Sequence, residues 1–197
     1  DPTTKKGDPM RYLAAVIACA AFACSASAAP VSYTLDPDHT IPRFEVMHNA
    51  FSNHMGAFMK SAGKAVLDVE ARTGSVEVTV QTASFLSGHA FMESVMKGKD
   101  FFNVEQFPTM TFKSTRMAFQ GDKPAVVEGE FTMLGVTRPV TLSFTNFNCG
   151  LHPRNKKEQC GGNLVGQIRR SDFGMKAFIP AVGDEVKLLI QVEAFKD

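Results

Sequence analysis

From residue 32 onward, apolar and polar positions alternate at a period of two, the repeat of a half-buried β-strand. Val76, Val78 and Val80 point one way while Glu77, Thr79 and Gln81 point the other. Near the end, Val186, Leu188, Ile190, Val192 and Ala194 alternate with Lys187, Leu189, Gln191, Glu193 and Phe195. The same pattern runs through 43–47, 64–68, 109–116, 125–133, 136–147 and 162–168, and a short segment at 32–35 brings the prediction to eight or nine strands. Leu134-Gly135 reads as a tight hairpin turn, because glycine tolerates the positive φ such turns require. One stretch predicts a helix, Ala90–Lys97: Phe91 and Val95 are i,i+4 partners, as are Met92 and Met96. Gly98 stands where a stop belongs, and Lys97 suits the negative end of the helix. Consecutive strands with short turns predict an antiparallel barrel or sandwich. A barrel of about eight strands is either filled by its own side chains or holds one small ligand.

The first 28 residues do not share this pattern. Residues 1–9 are polar and unpatterned and read as an appended tag or an over-extended start, with Met10 as the initiator. Arg11 supplies a short positive region, residues 12–23 an apolar run too short for a span of about 20 residues, and Ala26-Ser27-Ala28 the small side chains of a cleavage site. Residues 10–28 are therefore expected to be a signal peptide, cleaved after Ala28, leaving a single exported domain at 29–197. An uncleaved anchor, or a lipoprotein processed at Cys19, are the alternatives.

Composition changes the picture in two ways. The formal charge of +1 among 21 basic and 20 acidic residues excludes a strongly basic nucleic-acid-coating protein. Without residues 1–28 the chain holds 18 of each sign and is neutral, yet it keeps 16 of 17 Phe and 9 of 10 Met. Two cysteines remain, Cys149 and Cys160. In an oxidising compartment they are expected to form a disulfide across the polar stretch between them. A zinc site using Cys149, His152 and Cys160 is the alternative, without a convincing fourth ligand.

Candidate chemistry is sparse. There is no GxGxxG or GxxxxGK[ST] loop and no GxSxG elbow. His39, His48, His54, His89 and His152 are dispersed, and a metal site is not expected. Asp36, Asp38, Asp172 and Asp184 sit beside Pro, Gly or Ser, which suits turns better than acid–base work. Neither an enzyme nor a cofactor is expected. What stands out is the apolar inventory: Phe and Met together line a site for a flexible hydrocarbon without demanding hydrogen bonds.

Four blocks then carry a resemblance over residues 32–195. DPDHTIPRFEVMH with GAF at 56–58, DFFNVEQFPTMTFKST at 100–115, GEFTMLGVTRPVTL at 129–142 and RSDFG at 170–174 occur in the order of the YceI-like, lipocalin-like family of polyisoprenoid-binding proteins. The resemblance implies an all-β fold: an extended eight-stranded antiparallel barrel with a short helical insertion around 90–98 and an apolar tunnel. It also implies an isoprenoid-chain lipid as ligand, either a polyprenyl phosphate or an isoprenoid quinone. The family often has Arg-Asp-x-His-Leu before its Asp-Phe-Phe; here Met92, Glu93, Ser94, Val95 and Met96 stand there, which favours a neutral head group. Lys97, Lys99, Arg43 and Arg170 are the residues that could still meet a phosphate.

Alternation and resemblance together place Phe44, Val46, Phe58, Val78, Val80 and Phe112 inside the barrel. Phe131, Leu142, Phe144, Ile168 and Leu188 join them. Phe91, Met92, Val95, Met96, Phe101 and Phe102 are assigned to the tunnel wall or its lid. The expected function is periplasmic carriage or sequestration of the lipid, with transient membrane-surface contact for exchange and an oligomeric state, monomer or homodimer, left open. The alternative is a solidly packed barrel acting as a stress-response or protein-interaction module.

Overall fold

The computed structural model describes residues 2–3 and 29–197. The expected signal peptide and its cleavage site lie outside the described residues. Eleven strands, all paired antiparallel, form one sheet: β1 (Val31–Leu35), β2 (Ile41–His48), β3 (Ser52–Phe58), β4 (Ser61–Asp68), β5 (Thr73–Gln81), β6 (Phe85–Leu86), β7 (Thr109–Gln120), β8 (Lys123–Met133), β9 (Val136–Leu151), β10 (Glu158–Arg169) and β11 (Val182–Lys196). The ring β1-β4-β5-β7-β8-β9-β10-β11 closes where β1 pairs back onto β11, giving an eight-stranded barrel.

Three further strands extend the barrel at one end. β11 is 15 residues long and serves two partners along one edge: β1 opposite residues 194–196, and β2 opposite residues 182–191. At the break between β1 and β2, the buried Thr40 hydroxyl donates to the Glu193 carbonyl, and the Ser61 hydroxyl donates to the Thr40 carbonyl at 2.6 Å. β3 runs on into β4 across Met59-Lys60. β5 turns away through a single 3₁₀ turn at Thr82–Ser84 into β6, which pairs only with β3. No strand joins β6 to β7. The helix α1 (Ala90–Lys97) and the segment following it occupy that gap, anchored where the Thr82 hydroxyl donates to the Phe107 carbonyl at 2.7 Å.

The two ends therefore differ. At the stapled end lie the turns at 69–72, 121–122 and 152–157 and the Cys149–Cys160 disulfide. The two cysteines are directly opposed, because β9 and β10 run further than their alternation suggested, and only six residues form the loop beyond them. At the open end lie the turns at 49–51 and 134–135, the loop at 174–181, and α1. Leu134 and Gly135, with φ of 53° and 74°, make the predicted hairpin.

The helix matches its predicted limits. The His89 side chain accepts from the Met92 N–H at its start, and the Gly98 N–H donates to the Val95 carbonyl at its end. Two strands had no signal in the sequence. β3 (SNHMGAF) lacks apolar alternation, since its outer face is exposed and an inward position is Gly56, where a Cβ would lie 2.3 Å from the Phe85 ring. β6 has two residues and no period to detect. Eleven strands thus replace the expected eight or nine, with the eight-stranded ring intact.

The open-end cavity as candidate functional site

Inward residues of β2, β3, β8, β10 and β11 meet α1 around a cavity of about 890 Å³ at the open end. One wall is a cluster of four rings, Phe44, Phe58, Phe85 and Phe102, with centroids 5.0–6.2 Å apart. It exists because Gly56 lets the Phe44 and Phe85 rings pass over the β3 backbone. Phe131 and Phe173 form a second, edge-on pair at 5.4 Å. Met92, Met96, Met110, Met133 and Met175 line much of the remainder, an unbranched and adaptable surface.

Apart from the buried Arg170, the polar groups cluster at the β2–β3 turn and the approach to α1. His48 and His54, brought together by the β2–β3 pairing, stack at 4.1 Å, and Asn49, Asn53, Ser87 and His89 lie beside them. These two histidines, six apart and dispersed in the sequence, are therefore partners. Arg170 is the one formally charged side chain in the lining, and it is not available to a ligand. It is almost fully buried, and its guanidinium donates to the carbonyls of Gly183, Met175, Ala177 and Val182 at 2.8–3.1 Å. Burial lowers its pKa, while the neighbouring Asp184 opposes the shift. Arg170, one of four residues that could have met a phosphate, instead knits the 174–181 loop and the start of β11 to the barrel. Arg43 donates to Gln191 at 2.9 Å, and Arg43, Lys97 and Lys99 do not line the cavity. Glu93, at the position of an acid in the family word, turns away and accepts from the backbone N–H groups of Ser87 and Gly88. The Ser87 N–H is the leading cause of its lowered pKa.

Of the residues singled out in the sequence, Phe44, Val46, Phe58, Met92, Val95, Met96, Phe101, Phe102, Phe131, Ile168 and Leu188 line this cavity. Val78, Phe112, Leu142 and Phe144 line a separate void of about 100 Å³ nearer the stapled end. Val80 is packed in the core. Phe91, assigned to the wall or its lid, does not line the cavity: it is 71% exposed and projects from the first turn of α1, the helix over the opening. The grouping of His48, Asn53 and His54 was not legible in the sequence, because it depends on a strand that alternation does not reveal. Phe85 was equally silent, lying on a two-residue strand.

Elsewhere, Asp36, His39 and Glu193 bring ligand atoms within 4.8 Å of one another, but Asp36 and His39 already pair at 2.7 Å. A groove of about 510 Å³ beside the disulfide is polar and open, lined by Asn146, Asn148, Gln159 and Asn163 among others. Neither encloses apolar surface.

Comparison with known proteins agrees with this architecture. Residues 33–194 match the YceI-like domain. The chain is 31% identical over 170 residues to Protein YceI of Shigella flexneri, covering 85% of this chain and 88% of that one. Two solved structures share the fold. Burkholderia cenocepacia BcnA has a TM-score of 0.64 at 24% identity, over 81% of this chain and 98% of BcnA. A polyisoprenoid binding domain from Saccharophagus degradans, implicated in plant cell wall breakdown, has a TM-score of 0.59 at 12% identity, over 85% and 99%.

Proposed function

The chain belongs to the YceI-like family, and from that membership and its cavity we propose that it binds an isoprenoid-chain lipid at the open end, as a periplasmic carrier or sequestering protein without a catalytic step. The observation that carries the reading is the cavity itself: about 890 Å³, walled by Phe and Met, with its polar groups, buried Arg170 apart, clustered at the β2–β3 turn and the approach to α1. Ligand sites typically occupy about 300–1,000 Å³ and hold few, well-placed polar groups. Each methylene withdrawn from water is worth about 0.8 kcal/mol. A Phe and Met lining accepts such a chain without leaving a donor or acceptor unpaired. A solidly packed module has no use for a void of this size. Periplasmic residence rests on the expected leader and on the Cys149–Cys160 disulfide, a bond that persists in oxidising compartments.

The lining also favours a neutral head group, such as a quinone ring, over a phosphate. Met92 and Val95, which replace the family's Arg and His, face the cavity, and Arg170 is already engaged by four carbonyls. His48, Asn53, His54 and Ser87 offer hydrogen bonds at the mouth without a fixed charge.

Organic extraction of protein purified from its own periplasm, followed by mass spectrometry, is expected to release an isoprenoid quinone near stoichiometric amount. Val95→Asp, which puts a carboxylate into the lining, is expected to abolish retention while leaving the fold intact. Gently handled wild-type protein free of any isoprenoid would overturn the reading.

A further inference from the structure

The cargo reading says what enters the cavity; the surface around its mouth says where the protein goes to collect it. We propose that the open-end rim docks on the surface of a phospholipid bilayer, inserting Phe51, Phe91 and Phe178 into the interface. These are the three most exposed phenylalanines among the described residues, at 92%, 71% and 62%. They sit on three separate segments: the β2–β3 turn, the start of α1, and the loop before β11. Those segments converge on one opening. Asn49 N–H donates to the Ala181 carbonyl, Phe178 stacks on Phe101 at 6.0 Å, and Asn49, Met55, His89, Met92 and Phe178 all border the same cavity. Phe178 is held at a φ of 61°, in the left-handed region that bulky residues avoid. Strained backbone of this kind persists where its surroundings over-determine it, and it concentrates at functional positions.

Charge distinguishes this rim from the opposite end. Residues 47–55, 86–92 and 177–182 contain no Asp, Glu, Lys or Arg. The stapled-end turns instead carry Glu70, Arg72, Asp122, Lys123, Arg154, Lys156 and Lys157. Taking a fixed charge out of water is costly, so tips meant to enter an interface must lack one. His, Asn and Ser between the aromatics can remain among hydrated head groups, the division of labour expected of an interfacial surface. Three apolar projections set around a hole also fit a deformable partner better than the continuous patch of about 800 Å² per side that a stable protein interface requires. The occupant is therefore a bilayer, and the contact does not depend on anionic lipid.

The test is flotation with phosphatidylcholine vesicles that contain no isoprenoid. Wild-type protein is expected to float with them equally at low and high salt. The triple variant Phe51→Ser, Phe91→Ser, Phe178→Ser is expected to lose about tenfold or more in partition, from the apolar area it no longer buries. The stapled-end pair Val69→Ser, Leu151→Ser is expected to float like wild type. If the triple variant folds poorly, Phe51→Ser with Phe91→Ser leaves the Phe101–Phe178 stack in place and should still show most of the loss. Equal flotation of wild type and these variants would overturn the proposal, as would binding that vanishes in salt. Self-association of wild type, relieved in the triple variant with no flotation by either, would reassign the rim to contact between copies. Because the vesicles lack isoprenoid, flotation without extractable lipid sinks the cargo reading alone, and extractable lipid without flotation sinks the docking alone.

Discussion

The two ends of this barrel are built from the same alternating strands and reach opposite outcomes. At the stapled end, β1 pairs with both β4 and β11 and closes the sheet by backbone hydrogen bonds. Tyr33, Leu35, Leu67, Cys160 and Ala194 pack together there around a void of only about 100 Å³. At the open end, β5 turns aside into β6, a helix stands where the sheet would have closed, and a cavity remains. Alternation decides which residues face inward; how the ring is closed decides whether they meet. Strands held about 4.8 Å apart bring facing side chains into contact. Where the helix and its following segment replace a strand, Phe102 still reaches Phe44, Phe58 and Phe85, but the lining as a whole leaves about 890 Å³ unfilled.

The comparison can be broken in three ways. The largest effect is expected at Arg170, whose four carbonyl partners lie in the open-end loop and at the start of β11. Arg170→Ala leaves the buried Met175 carbonyl and three half-buried ones without this donor and should cost about 3 kcal/mol, at roughly 1–3 kcal/mol for a buried group left unsatisfied and less for the others. Chemical denaturation should show this loss, and a loss below about 1 kcal/mol would mean that the loop repacks or takes in water.

Matched truncations measure the packing difference itself. Leu67→Ala at the stapled end, beside a void of only about 100 Å³, should cost about 3 kcal/mol, within the range for a buried leucine. Met96→Ala borders existing empty space and should cost less than about 1 kcal/mol, because a side chain facing a void gives up fewer contacts. Equal costs would mean that the cavity is filled in solution.

The smallest effect concerns acid. Asp184 accepts from the Ser171 hydroxyl and N–H and from Arg169. Burial pushes its carboxyl up, but these donors prevail and hold it below the ordinary carboxylate range. Its stabilisation is therefore present above the unfolded pKa of about 3.9 and is lost as pH falls through the lower folded value. Asp184→Asn should flatten the acid limb of a plot of melting temperature against pH. An unchanged slope would assign that limb to other carboxylates, among them Asp36 beside His39, whose pKa is also lowered.

Much of this was legible in the sequence, and the limit is physical. Period-two alternation placed Phe44, Phe131, Ile168 and Leu188 inward, because a strand's faces follow from local geometry. The cysteine pair and the helix at Ala90–Lys97 followed equally from local signals. The division of inward residues between two voids did not, since it depends on where β5 departs from its neighbour. Nor did the His48–His54 stack, which needs the register of β2 against β3, where Gly56 supplies no side chain to reveal the pattern. Whether Phe91 stands in the wall or on the lid was not legible either, because helical spacing says which residues share a face but not where that face is first covered.

The brevity of β6 has a consequence for solubility. An interrupted ring ordinarily exposes a row of unpaired N–H and C=O groups, a template for adding a strand from another molecule. Here β6 covers only Ala57 and Phe58 of β3, ends at Leu86, and lies next to a helix whose own backbone groups are satisfied internally. The outer edge of β3 over Ser52–Gly56 has no strand partner, and this short ladder lies between the β2–β3 turn and β6. The opening that admits a greasy cargo thus leaves a seam of five residues at most, too short to template a long foreign strand.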